Sequence, residues 1–203
     1  MTRPSHNIDA LLFDKGEKLL LKVGIDNFSI RHLCKTANVN LGMFHYYFKT
    51  KDHFIELLFE EIFKRYYNAQ RTVVEKHTKA IDKLRAVLYQ RAVIGLKNKQ
   101  LLLIFFREAV NKSFGNLIKK HQRDELQFLI SIIEQCKKDK DISKNLAIKD
   151  ILPLIIPTIN FPILFDMFKI EDIDNEGNII MNEKLNFSDY INKLIDTIFR
   201  GLK

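Results

Sequence analysis

FSIRHLCKTANVNLGMFHYYFKTKD, residues 28–52, is the most informative segment of this chain for predicting its architecture. Ser29 is a favourable N-cap for a short helix, because its hydroxyl can accept from a free amide of the first turn. The apolar residues that follow fall at helical spacing, at Ile30, Leu33 and Cys34. Asn38 tolerates the left-handed conformation that a tight turn requires, and Asn40 can cap the next helix, 41–48. The stretch therefore predicts two short helices joined by a tight turn.

The second of these helices has the features of a DNA-recognition helix, which enters the major groove with its N-terminus first. It begins with small or uncharged residues, namely Asn40, Leu41, Gly42 and Met43. Gly42 lowers helix stability, and we expect it to leave room for the DNA backbone. Hydrogen-bonding side chains follow where phosphates would lie, at His45, Tyr46 and Tyr47. Lys51 stands at the start of the next helix, where amides and dipole favour an anion.

Outside this stretch the chain is predicted to be all-α, with about nine helices and no alternating strand pattern. Residues 8–23 form a helix with one apolar face, Gly24 ends it, and Thr50 can cap a long fourth helix. Further helices are predicted at 51–76, 79–97, 99–112, 115–138, 146–169 and 187–202. Pro153, Pro157 and Pro162 imply kinks or a break in the eighth helix, and a polar loop, 171–185, follows it. We expect Phe44 and Phe48 to be core residues, whereas Tyr47 could be either core or contact.

Charge gives only weak support for a polyanion partner. The formal net charge is +8, but residues 1–60 hold 8 Lys and Arg against 7 Asp and Glu. The basic excess lies in residues 61–120, outside the predicted DNA-binding segment, where solvated helix faces would explain it equally well.

The two cysteines are far apart and are expected to be reduced, buried thiols. No apolar run is long enough to span a membrane and the start lacks a signal-peptide core, so we expect a cytoplasmic protein.

The 28–52 stretch resembles the DNA-binding domain of the TetR family of bacterial transcriptional regulators. The matching residues are Ser29, Ile30, Ala37, Val39, Gly42, Phe48, Lys49, Lys51 and Asp52, with Leu20 and Gly24 upstream. The chain departs from the family pattern at Asn38, Asn40, Met43 and His45, and Leu41 replaces a residue that is often Lys. The resemblance implies a three-helix helix-turn-helix domain over residues 1–65 and a helical ligand-binding and dimerisation domain over 66–203. It also implies phosphate contacts from Ser29, His45, Tyr46 and Lys51, and base contacts from Asn40, Leu41 and Met43.

The last helix has a wide apolar stripe that must be buried, which independently favours a homodimer. The expected interface residues are Phe187, Tyr190, Ile191, Leu194, Ile195, Ile198 and Phe199. Burial within the chain alone is the alternative. A two-fold dimer would place two recognition helices about 34 Å apart and would read a palindromic operator. Because Leu41 and Met43 could contact thymine methyl groups, we expect an A·T-rich site.

The family resemblance also implies a small-molecule effector, which we expect to be mainly apolar. The candidate pocket residues are Phe105, Phe106, Phe128, Phe161, Phe165 and Met167, although many aromatic residues on these helices would be ordinary core. Arg107 and Glu108 lie within apolar sequence, where they either pair with neighbouring residues or face a polar ligand group; we favour the structural pair, because burial without a partner would be costly. The resulting hypothesis is a ligand-responsive transcriptional repressor that needs no cofactor.

Two other classes of function compete with this hypothesis. DIDNEGNIIMNE, residues 172–183, resembles a calcium-binding EF-hand loop, with acidic residues at several ligand positions and Gly177 at the turn. A calcium- or small-molecule-responsive binding module without DNA binding is therefore the alternative, although it would not require Gly42, the two tyrosines or Lys51. An enzyme is disfavoured, because no nucleophile–base pair or metal-ligand spacing stands out among the six histidines.

Overall fold

The computed structural model of the chain describes residues 5–110, 114–166, 169–173, 179–182 and 186–203. Within these ranges it is a helical protein with one small two-stranded ribbon, which confirms the all-α prediction. The helices are α1 (Ser5–Val23), α2 (Ile30–Ala37), α3 (Leu41–Phe48), α4 (Lys51–Val74), α5 (Ala80–Lys97), α6 (Lys99–Val110), α7 (Gly115–Lys138), α8 (Ile148–Leu164) and α9 (Phe187–Gly201). The strands are β1 (Ile170–Ile173) and β2 (Ile179–Met181).

The chain divides into two compact units. The first comprises Met1–Tyr66 and Ile104–Lys119, and the second comprises Tyr67–Leu103 and Lys120–Lys203. The boundaries therefore fall inside the helices α4, α6 and α7.

The first unit has an aromatic core behind its two short helices. Phe54 of α4 lies at its centre, and three rings pack on it with centroids 4.9–5.6 Å away, those of Phe13, Phe44 and Phe48. A Cβ at Gly16 would come within 2.7 Å of the Phe54 ring, so α1 and α4 approach closely only because this residue is glycine. Gly24 ends α1 with a φ of +72°, which is left-handed backbone that favours glycine.

The second unit is held together by one apolar core in which α5, α7, α8 and α9 meet. Leu84 and Leu88 of α5 are fully buried there, as are Ile155 and Ile159 of α8. The segment after α7 is tied to the end of α9 by a hydrogen bond from Ser143 N–H to Leu202 O at 2.8 Å. The unit is therefore built from elements that are far apart in the sequence.

The region around α8 differs from the expectations in two respects. The helix has no break between Ile148 and Leu164 although Pro153, Pro157 and Pro162 lie inside it, because its apolar face is packed on the core on either side of each proline. Kinks at the prolines stay a prediction. The segment predicted as a polar loop contains the antiparallel pair β1 and β2, with Ile170 opposite Met181 and Ile173 opposite Ile179. Its strands are too short to show an alternating pattern in the sequence.

Candidate nucleic-acid interface

The helices α2 and α3 and the turn between them have the capping geometry that the sequence predicts. Ser29 lies in extended backbone and accepts from His32 N–H at 3.4 Å. Asn38 adopts the left-handed conformation, with φ 53° and ψ 41°, and its N–H bonds back to the carbonyls of α2. Asn40 Oδ1 accepts from Gly42 N–H at 2.7 Å, and Thr50 Oγ1 accepts from His53 N–H at 3.1 Å in the first turn of α4. Each of these local predictions is confirmed.

Helix α3 is held from behind by its two phenylalanines, which leaves its other face exposed. Phe44 is fully buried and Phe48 nearly so, as expected. Seven of the nine residues proposed to contact DNA are exposed, namely Ser29, Asn40, Leu41, Gly42, Met43, His45 and Tyr46, while Tyr47 and Lys51 are half-buried. The exposed face carries three large side chains. Leu41 and Met43 are each more than one third exposed, and Tyr46 is 70% exposed.

Gly42 has a structural role that the sequence reading did not anticipate. A Cβ at this position would lie 3.1 Å from Asn40 Oδ1, which is tighter than most real Cβ contacts. Glycine therefore allows the Asn40 side chain to cap α3 closely, in addition to any role beside DNA.

The end of α3 gathers aromatic rings and a cation at the surface. The rings of Tyr46 and Tyr47 meet edge to face with centroids 5.2 Å apart, and Lys49 Nζ lies 5.6 Å from the centroid of the Tyr46 ring. His45 Nδ1 donates to Lys49 O at 2.9 Å, which directs the other ring nitrogen, Nε2, away from that bond. The two tyrosines, the histidine and the lysine thus form one polar surface at the C-terminal end of the helix.

Lys49 is a candidate contact residue that the sequence reading did not select. Its backbone has φ 62° and ψ −61°, and Thr50 N–H donates to Phe48 O at 2.6 Å, so residues 48–50 form a γ-turn with a left-handed centre. This conformation is strained for a residue with a side chain, and such strain is concentrated at functional sites. The signal in the sequence is the match of Lys49 to the family pattern, between Phe48 and Lys51.

The six residues proposed for a ligand pocket are divided between the two compact units. Phe105 belongs to the first unit, where its ring stacks on Phe63 with centroids 4.7 Å apart. Phe106 is 59% exposed, and Phe161 and Phe165 of α8 are also exposed. Phe128 lines a cleft in the second unit, and Met167 lies outside the described residues. The ligand pocket therefore stays a prediction, because ring-rich helix faces occur in cores and at surfaces alike.

The apolar stripe of α9 is divided between core and surface. Ile191, Ile195 and Phe199 are buried in the core of the second unit. The other four residues proposed for the dimer interface are half-buried, namely Phe187, Tyr190, Leu194 and Ile198. Burial raises the pKa of Tyr190, which is consistent with a hydroxyl in a partly apolar environment.

The segment that resembles a calcium loop is described only at its edges. Residues 174–178 and 183, which include most of the proposed ligands, lie outside the described residues. Helix α8 ends at Leu164, and β1 leads into the segment at Asp172. An EF-hand loop is entered directly from a helix, so this geometry departs from the EF-hand pattern. Among the described residues there is no group of His, Cys, Asp and Glu side chains that could hold a metal ion.

Two further expectations from the sequence are confirmed. Arg107 and Glu108 form an ion pair at 3.1 Å within the first unit, and Arg107 also lies 3.6 Å from Asp26 in the loop after α1. Because Glu108 is only 1% exposed, the guanidinium supplies the partner that a buried carboxylate requires. Cys34 and Cys136 are both buried free thiols. No described helix is long and apolar enough to cross a membrane.

The comparisons with known proteins agree with this geometry. Many solved structures share the fold, and three of them cover nearly the whole chain as follows. The transcriptional regulator FadR from Bacillus subtilis, solved in complex with stearoyl-CoA, is 17% identical with a TM-score of 0.76, covering 96% of this chain and 99% of that one. The ketosteroid transcriptional regulator KstR2 of Mycobacterium tuberculosis is 11% identical with a TM-score of 0.68, covering 98% and 96%. A TetR-family transcriptional regulator from Cytophaga hutchinsonii is 13% identical with a TM-score of 0.76, covering 100% and 98%.

At these identities the structural likeness shows the fold alone. No curated protein matches the chain in sequence. The family model described as bacterial regulatory proteins, tetR family, matches residues 12–58, which run from α1 through the helix-turn-helix into α4. By that match, residues 12–58 form a DNA-binding domain of the kind found in the TetR family of bacterial transcriptional regulators.

Proposed function

We propose that this regulator is a homodimeric repressor that binds a palindromic operator and is released from it by a small, mainly apolar effector. The observation that carries the proposal is the exposed face of α3, which is held from behind by Phe44 and Phe48 and begins at a closely capped turn. A helix that presents apolar and hydrogen-bonding side chains to solvent in this way is suited to the major groove.

Phosphate contacts would come from the two ends of the motif. The Ser29 hydroxyl accepts from the backbone and keeps its own proton for a phosphate oxygen. At the other end the Tyr46 hydroxyl is exposed, and Lys51 stands in the first turn of α4, where free amides and the helix dipole also attract an anion. These contacts would position the protein on DNA without reading sequence, and they would weaken steeply as salt rises.

Base contacts would come from the first turn of α3. Asn40 uses its carbonyl oxygen in the cap and retains its two N–H donors for acceptors on base edges. Leu41 and Met43 offer exposed apolar surface that matches the methyl group of thymine. We expect an A·T-rich operator, and selection from a random DNA pool tests this, since enrichment of G·C-rich sites would refute it.

The proposed dimer is supported by an apolar stripe on α8 that is left exposed in the single chain. Pro153, Pro157, Phe161 and Phe165 recur at intervals of four residues, and all four are exposed. Leu154 adds to the same surface with 56% exposure. Helix α9 packs against α8 and brings the half-buried Leu194 and Ile198. We therefore assign Phe161 and Phe165 to the dimer interface, in preference to the ligand pocket.

A mainly apolar effector is supported by what two relatives bind or regulate, according to their names. FadR from Bacillus subtilis was solved with stearoyl-CoA, and KstR2 is called a ketosteroid regulator. The second unit of this chain, with its apolar core and a cleft lined by Tyr67 and Phe128, is where we expect the effector to bind.

The experiment that tests DNA binding is a gel shift with DNA from beside the protein's own gene. Lys51→Ala and Tyr46→Ala should each weaken binding, by about tenfold if one charged or hydrogen-bonded phosphate contact is lost. Tyr46→Phe separates the hydroxyl from the ring, which also packs on Tyr47 and Lys49. Lys138→Ala, at an exposed lysine in the last turn of α7, is the matched control and should bind like the wild type. Undiminished binding by both Lys51→Ala and Tyr46→Ala would refute the site.

A further inference from the structure

The imidazole ring of His45, in the last turn of α3, is held in one orientation by the residue that ends the helix. Lys49 N–H donates to His45 O at 3.2 Å, and the ring nitrogen Nδ1 of His45 bonds to Lys49 O at 2.9 Å. The ring also meets that of Phe44 edge to face, with centroids 5.7 Å apart. These contacts fix the direction of the ring, although His45 is exposed to solvent.

The partner of Nδ1 decides where the neutral ring carries its hydrogen. A backbone carbonyl oxygen can only accept, so Nδ1 of His45 must be the donor in the bond to Lys49 O. In a neutral imidazole the other nitrogen, Nε2, is then an acceptor without a hydrogen. A phosphate oxygen is an acceptor as well, so the neutral ring has nothing to offer it. Only the protonated ring presents an N–H donor at Nε2.

The described part of the chain supplies no carboxylate that pairs with a charged His45 ring. The ion pairs on the neighbouring helices join other residues, since Glu56 lies 3.7 Å from His53 within α4 and Asp14 pairs with Lys18 within α1. The other charged and titratable side chains on the adjacent turns of α1, α2 and α4 and in the turn after α3 are Asp9, Lys15, Glu17, Arg31, His32, Lys35, Lys49, Lys51 and Asp52. An anion that stabilises the charged ring would therefore come from a partner, and a DNA phosphate is such an anion.

The place of His45 on α3 suits a contact with the DNA backbone. If the helix enters the major groove with its N-terminus first, its C-terminal end lies where the phosphates are. His45 lies at that end beside the exposed Tyr46 and the Lys49 ammonium. We propose that DNA binding takes up a proton at His45, whose imidazolium then donates from Nε2 to a phosphate oxygen. The operator is therefore bound more tightly as the pH falls.

This inference rests on the proposed function in taking α3 to be the DNA-binding helix, and it adds a dependence on pH. An imidazole changes its charge between about pH 5 and pH 8, and a phosphate that favours the charged form is in turn bound better by it. At constant salt, the affinity of the wild type for DNA from beside its own gene should be about tenfold higher at pH 6 than at pH 8. Fluorescence anisotropy of labelled DNA measures both affinities.

His45→Gln keeps a neutral N–H donor that does not titrate in this range, so most of the pH dependence should be lost. His77→Gln, at an exposed histidine of the second unit, is the matched control and should keep the pH dependence of the wild type. Thermal unfolding of each variant checks that it is folded. Calorimetry in phosphate and in Tris at one pH, near 7.5, counts the protons, and the wild type should take up as much as about one proton per chain more than His45→Gln.

The outcomes separate this inference from the proposed function. Equal affinity of the wild type at the two pH values would overturn the inference and leave the repressor proposal standing. A pH dependence that persists in full in His45→Gln, or equal proton uptake by the two proteins, would do the same. Absence of DNA binding at both pH values would overturn both proposals.

Discussion

At the scale of single residues, the helix-turn-helix depends on backbone positions that few side chains tolerate. Asn38 and Lys49 both have positive φ, one at each end of the segment that contains α3. Asparagine adopts this conformation readily, whereas lysine does so under strain. In this backbone conformation the Lys49 ammonium lies over the Tyr46 ring, and the Lys49 carbonyl oxygen accepts a hydrogen bond from His45 Nδ1. We propose that the Lys49 side chain contacts DNA.

Lys49→Gly should therefore make the protein more stable and a weaker DNA binder. Glycine relieves the left-handed strain but has greater freedom in the unfolded chain. We expect the free energy of unfolding to rise by about 1 kcal/mol in balance, which urea unfolding measures. Loss of one phosphate contact should lower the salt dependence of DNA binding by about one unit of slope. Lys140→Gly is the matched control, because Lys140 is exposed with φ 68° in the second unit. It should gain similar stability and bind DNA like the wild type, and an equal loss of binding in both variants would contradict the role of Lys49.

At the scale of whole elements, α8 shows how one helix serves two surfaces. Ile151, Ile155 and Ile159 recur every four residues and are fully buried. Pro153, Pro157 and Phe161 recur at the same interval and are exposed. The prolines lack the N–H of a helix interior, but the packed isoleucine face keeps the helix continuous. The exposed face is apolar and needs a partner, which we propose to be the same helix of a second copy.

Phe161→Glu should separate the proposed dimer into monomers. A carboxylate at the centre of an apolar interface would be buried without a partner, and dissociation should become easier on the order of a hundredfold. Sedimentation equilibrium measures this directly. Phe106→Glu, at another exposed phenylalanine, on α6, is the control and should leave association unchanged. A wild-type chain that sediments as a monomer, or a dimer that survives Phe161→Glu, would contradict the proposed interface.

At the scale of the whole molecule, each compact unit contains one buried cysteine. Cys34 lies in the first unit and Cys136 in the second. Burial raises the pKa of both thiols, that of Cys136 to about 12, because a thiolate is poorly solvated in an apolar core. The nearby carboxylates of Asp141 and Asp139 raise the pKa of Cys136 further. Both thiols should therefore be unreactive in the folded protein and report the unfolding of their own unit.

Alkylation by iodoacetamide at pH 8 should be slow for both thiols until the unit around each one opens. Cys34→Ser and Cys136→Ser variants assign each labelling rate to one unit, and rapid labelling in the native protein would contradict the burial.

Alkaline pH should also destabilise the protein through Cys136. Below the ordinary thiol pKa, about 8.5, the folded and unfolded states are both protonated and this group adds no pH dependence. Above it the unfolded state loses the proton first, so the free energy of unfolding falls as the pH rises towards about 12. The urea midpoint should decrease between about pH 8.5 and pH 10, and it should decrease less in Cys136→Ala. An equal decrease in both proteins would rule out this cause.

The local features of this protein could be predicted from its amino-acid sequence. They are the caps at Ser29 and Asn40, the left-handed Asn38 and the bounds of most helices, and each depends on a few adjacent residues. The exposed face of α3 followed from Phe44 and Phe48, which share its other side. Packing between distant helices instead sets which aromatic residues face outward on α6 and α8, and brings together the polar side chains of Gln70, Arg91, Glu125 and Asn160. Contacts between helices that are far apart in the chain depend on how their whole faces pack together. The spacing of residues within one helix does not predict this packing.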